Sequence, residues 1–171
     1  MLQSISVRFD EIEDRLLIKL SIDDAAGARD LWLHLTRRVC MAWRRDLQTM
    51  LEMSAQAPAR LDAAGRASVS AAHHEAMAQQ AAVRHVPPAA TPPDARPALI
   101  TSVHCGRRRE DGRWIFRFEL RGQASLSIVV TPTTLHGLVE ALSRRTQVAG
   151  WSLPTLAPET PSAPTDSSAF H

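Results

Sequence analysis

Near the start of the chain, three short stretches carry an apolar residue at every second position. Ile5, Val7 and Phe9 stand against Ser4, Ser6 and Arg8; Leu16, Ile18 and Leu20 against Arg15, Leu17 and Lys19; Leu31, Leu33 and Leu35 against Asp30, Trp32 and His34. A period of two belongs to a strand with one face on a core. The segments between these stretches, DEIED and SIDDAAG, are short, so the strands are expected to form an antiparallel meander. At Thr36 the period lengthens to about 3.6, with Val39, Cys40, Trp43, Leu47, Met50 and Leu51 on one stripe. This predicts a helix capped by the Thr36 hydroxyl and ending before Pro58, its stripe laid on the apolar sheet face.

The same grammar returns after residue 97. Leu99 to Cys105, Arg113 to Arg121 and Ser125 to Val130 alternate as strands, and the Asp111-Gly112 pair marks a hairpin. A helix follows Thr131, with Pro132 at its first position, where a missing amide hydrogen costs nothing. Leu135, Leu138, Val139 and Leu142 form its stripe. The key stretches EDRLLIKL and EDGRWIFRF are the most alike, and the match is one of apolar positions rather than identities.

The expected fold class is therefore α+β: two pseudo-repeated units of three antiparallel strands and one helix, residues 1–57 and 97–152. Units of some fifty residues are near the lower limit for independent stability, so they are expected to share a core, as one six-stranded sheet or two packed sheets. Between them, 58–96 comprises an Ala-rich segment, helix-prone but short of large apolar anchors, and the Pro-rich linker HVPPAATPPDARP. The Pro, Ser and Thr composition of 153–171 predicts a disordered tail.

Charge modifies this picture only slightly. Of the 20 basic residues, 19 are Arg, and the net charge is +2. Residues 1–54 carry eight basic and nine acidic groups, and 97–151 carry eight and four, so the second unit is the more basic. An excess of four is well below the dense basic stripe of a dedicated nucleic-acid binder. The two cysteines, Cys40 and Cys105, lack CxxC spacing and read as reduced, buried thiols. The first residues carry no signal-peptide pattern, and a cytoplasmic protein is expected.

The chemistry-bearing motifs are missing. No phosphate-binding glycine loop, nucleophile elbow or HExxH occurs, and adjacent His73 and His74 on a helix would diverge by about 100°. No catalytic residue, cofactor or metal is assigned, and the protein is read as a non-enzyme. The informative surface is the sheet face away from the helices, expected to carry Arg8, Arg15, Leu17, Lys19, Trp32 and His34 in the first unit. In the second it carries Ile100, Ser102, His104, Arg113, Ile115, Arg117, Ser127 and Val129, with Arg107, Arg108 and Arg109 at a hairpin tip. Mixed apolar and basic faces more often mark protein contacts. The expected function is a small interaction or adaptor protein that self-associates, as a homodimer for example, or docks on a larger assembly through this face. The alternative is binding of single-stranded DNA or RNA, which needs stacking aromatics, of which the face offers Trp32. No membrane partner is expected.

Overall fold

The computed structural model describes residues 2–24, 27–83 and 95–151; most of the Pro-rich linker and the C-terminal tail lie outside the described residues. The elements run β1 (Leu2–Asp10), β2 (Arg15–Asp24), β3 (Gly27–Leu35), α1 (Arg37–Ala55), α2 (Ala63–Val83), β4 (Ala98–Arg107), β5 (Trp114–Leu120), β6 (Leu126–Val130) and α3 (Pro132–Val148). All six strands form one sheet in chain order. Neighbours are antiparallel except β3 and β4, which run parallel and meet at just two residue pairs, Leu33 with Ala98 and His34 with Leu99. Cα atoms of the outer strands β1 and β6 come within 8 Å of each other, so the sheet is strongly curled.

Both main helices begin where the hydrophobic period changes. Thr36 accepts a hydrogen bond from the Val39 amide at 3.4 Å, and Thr131 accepts from that of Thr134 at 3.1 Å, each satisfying a donor that has no partner within its helix. Gln56, in the left-handed conformation at φ 48°, ends α1 ahead of Pro58. Beyond it, Asp62 accepts from the Gly65 amide at 2.7 Å at the start of α2.

The core is one cluster drawn from both ends of the chain. The stripe of α1 reaches beyond the strands that precede it: Trp43 meets Phe116 and Phe118 of β5 edge-on, with centroids 5.1 and 5.7 Å away. Its indole N–H also donates to the Cys105 sulfur at 3.1 Å. In turn α3 lies on β1, where the Arg145 guanidinium donates to the Val7 carbonyl at 3.1 Å. Just past α3, the Trp151 indole donates to the Asp14 carboxylate at 3.0 Å and meets Phe9 edge-on. Non-directional burial is thus supplemented by directional contacts that tie each end of the chain to the other.

One face assignment changes. Strict alternation puts Ile100 outside, yet it is 1% exposed and in the core. The register shifts between Ile100 and Ser102: Ile100 opposes Leu120, whereas Val103 opposes Phe118. An extra residue in one strand reverses side-chain parity, so Ile100 points inward before the bulge and Val103 and Cys105 point inward after it.

The Ala-rich segment forms α2 and packs on α1 and α3. Ser70, Ala71 and His74 are buried, with Ala67, Ala78 and Ala81 half-buried on the same side. Small residues at helical spacing permit close approach: a Cβ placed on Gly137 of α3 would lie 2.6 Å from that of Ala81.

Candidate functional site

On the sheet face opposite α1 and α3, rows of cross-strand partners can be followed from the register. In one row Arg8, Leu17 and His34 lie side by side; in the next, Ser6, Lys19 and Trp32. Leu17, expected as a contact residue, is 1% exposed. Arg8 and His34 flank it across the strands and Arg15 and Lys19 along its own, long polar side chains of the kind whose apolar stems can cover a neighbour. His34 has its pKa lowered, by burial first and then by the Arg15 charge, so it favours the neutral form.

The cations of this face are largely paired within the chain. Lys19 contacts the Asp30 carboxylate at 2.8 Å and lies 5.5 Å from the Trp32 ring centroid; Ser21 donates to the same carboxylate at 2.7 Å. The Lys19 ammonium holds the Asp30 carboxyl below its usual pKa, with the Ser21 hydroxyl adding to the effect. Arg15 lies 3.5 Å from Glu13, and Arg117 lies 2.8 Å from Glu119. At the hairpin tip Arg108 and Arg113 share Asp111, whose carboxyl the Arg108 guanidinium holds far below the usual range. Arg109 is exposed there. Arg107 opposes Trp114 and stacks over its ring at 4.3 Å, which places it on the core-side rim rather than on the open face. Ile115 and Val129, adjacent across β5 and β6, are half-buried.

The thiols are unreactive by position. Burial pushes Cys40 up to about 12 and Cys105 up to about 11, and a thiol protonated at neutral pH is a poor nucleophile. Both are free.

A second constellation lies between the helices. His74 Nδ1 is 2.9 Å from His136 Nδ1, His136 Nε2 is 3.2 Å from Ser54 Oγ, and Ser54 Oγ is 3.4 Å from His73 Nε2. Glu140 closes the other end, 3.7 Å from His74 Nε2 and 2.6 Å from Arg144. His136 is fully buried and His74 is 5% exposed. Burial drives the His136 pKa down to about 3, helped by the neighbouring His74 and His73; it also lowers that of His74, against the pull of Glu140. His73 and His74, which diverge on the helix as their adjacency predicts, are a half-buried and a buried member of one network. No motif in the sequence marks His136. Its place on an apolar stripe beside Leu135 was the available signal, because a buried imidazole needs a polar partner.

The network does not read as a catalytic relay. Ser54 occupies the penultimate position of α1, where helix carbonyls converge and the dipole is negative, which opposes an oxyanion. Among the described residues no group of three or more His, Cys, Asp and Glu side chains could hold a metal ion, and no helix is long and apolar enough to cross a membrane. The chain matches no known family, and comparison with curated proteins and solved structures gives no significant match.

Proposed function

We propose that this is a non-catalytic interaction protein whose open sheet face docks on a protein surface, a second copy of the chain being the simplest partner. The observation that carries this reading is the composition of the face: half-buried Trp32, Ile115 and Val129 stand among charges already paired in the chain, Lys19 with Asp30 and Arg117 with Glu119. Internally neutralised cations release few counterions on meeting a phosphate backbone, so they contribute little to nucleic-acid affinity. They suit the polar rim of a protein interface around apolar groups.

The scaffold is read as an internal duplication, residues 1–57 and 97–152 forming the repeated units. Support comes from devices that recur at matching positions. Register shifts fall at Leu2/Ser4 in β1 and at Ile100/Ser102 in β4. Asp14 and Gly112, each just before the Arg that precedes the apolar run, both have positive φ. Thr36 and Thr131 both cap helices, α1 lies on β4, and α3 lies on β1. On this reading the curled sheet has two like-sided seams, one hydrogen-bonded at β3–β4 and one open at β6–β1.

Sedimentation of wild type and Ile115→Arg tests the docking reading, alongside anisotropy with labelled single-stranded oligonucleotides at low salt. Self-association or recovery of a partner that Ile115→Arg abolishes is expected, with no oligonucleotide binding. A strict monomer with no partner, or salt-sensitive oligonucleotide binding lost in Trp32→Ala, overturns it.

A further inference from the structure

The histidine network joins three elements: Ser54 from α1, His73 and His74 from α2, and His136 and Glu140 from α3, with Arg144 on the far side of Glu140. Its proton pattern follows from one end. Glu140 is an acceptor, so it favours the His74 tautomer bearing hydrogen on Nε2, which leaves the Nδ1 lone pair facing His136. His136 must then carry its hydrogen on Nδ1 and accept at Nε2 from the Ser54 hydroxyl, whose oxygen accepts from His73 Nε2. With every ring neutral, the three contacts within hydrogen-bond distance match donor to acceptor, and the His74 Nε2–H faces Glu140 at 3.7 Å, where the attraction is electrostatic rather than a hydrogen bond.

One added proton can be absorbed on His74 beside Glu140 if the chain reverses: His136 then accepts at Nδ1 and donates at Nε2 to Ser54, which donates to His73. A second proton, on His136, cannot. Two N–H groups would face each other across the 2.9 Å gap, and two positive rings would be buried side by side. His73 lies against the same ring, with centroids 5.0 Å apart, and its electrostatic influence also opposes a charge on His136.

The element with least else to hold it is α2. Its buried residues among those described are Ser70, Ala71 and His74, and beside the histidines small residues meet α3, with no room for a Cβ on Gly137 next to Ala81. Little apolar area resists separation, whereas α1 and α3 are anchored in the main core by Trp43, Leu47, Leu138 and Leu142. Detaching α2 hydrates His74 and uncovers His136, which relieves the buried charge without unfolding the sheet.

We propose that this network is an acid-sensitive latch that holds α2 against α1 and α3 at neutral pH and releases it as the pH falls. Hydrogen exchange measured by mass spectrometry on the full chain between pH 7.5 and 5, each rate divided by its intrinsic rate at that pH, tests it directly. Protection of α2 should fall by up to about tenfold per pH unit for each proton taken up, and it should drop well below that of β2 and β5, whose exchange reports global unfolding. In His136→Asn, whose amide can occupy the Nδ1 position without titrating, the fall should be shallower. Constant α2 protection overturns the proposal, as does α2 protection that equals that of the sheet at every pH, or an unchanged slope in a folded His136→Asn. Should that variant not fold, the wild-type titration still decides, because it separates local release from both a rigid α2 and global unfolding.

Discussion

Replacing Trp43 by Leu probes the contact that joins the two ends of the chain. Trp43 is 2% exposed, meets Phe116 and Phe118 edge-on, and donates its indole N–H to Cys105. Each edge-on pair is worth about 0.5–1.5 kcal/mol beyond burial, so the two together account for about 1–3 kcal/mol. Full truncation of a buried Trp costs about 3–5 kcal/mol, and because Leu refills much of the site, about 1 kcal/mol of cavity cost is added. The expected loss is about 3 kcal/mol, a large part of the stability of a domain this size. Urea unfolding followed by far-UV circular dichroism reads it as a lower midpoint with an unchanged slope. A double-mutant cycle with Phe116→Leu should return a coupling of about 1 kcal/mol between residues 73 positions apart in the sequence. Additive single substitutions, or a loss under about 1 kcal/mol, would refute the shared core, as would a transition that splits into two steps.

Two further outcomes follow from the helix packing. Gly137→Ala would stabilise an exposed helix by up to about 1 kcal/mol; here the added carbon meets Ala81 at 2.6 Å, so a net loss of about 1–2 kcal/mol is expected from overpacking, rescued by Ala81→Gly. Thermal melting of both variants checks the sign. Acid should also lower global stability. His136 has a folded pKa of about 3 against 6.5, so its neutral form is favoured in the fold and the unfolded chain binds protons first. Its contribution is intact above pH 6.5 and is lost as pH falls toward 3, amounting to about 2 kcal/mol by pH 5 at about 1.36 kcal/mol per unit. His74 acts in the same direction. Urea midpoints at pH 7.5, 6 and 5 should fall and then level off as α2 detaches; midpoints that rise or stay flat count against the buried network.

Much of the fold was legible because it depends on local regularities. Alternation in Leu16 to Leu20 and Trp114 to Phe118, the change of period at Thr36 and Thr131, and Pro132 in the first turn each act within a few residues. The parallel meeting of β3 and β4 is non-local and rests on two residue pairs, so no periodicity encodes it. Parity failed at Ile100 because one inserted residue reverses the faces without disturbing the composition of the strand. The open face was legible as a pattern but not in its charge balance, since Lys19 meets Asp30 across a strand pair and Arg107 turns to Trp114. For the histidine network, residues 54, 74 and 136 are brought together only by tertiary packing. The near-continuous small residues of α2 hid a docking stripe, because alanine packs closely while contributing little to apolar periodicity.

Hydroxyl-radical footprinting over a range of protein concentrations separates the open sheet face from the helical side most directly. The account predicts that Trp32 and Ile115 lose reactivity as the protein associates, whereas Met41 and Met53, 50% and 47% exposed on α1, keep theirs. Protection of Met41 and Met53 with Trp32 and Ile115 unchanged would contradict it and move the contact surface to the helices.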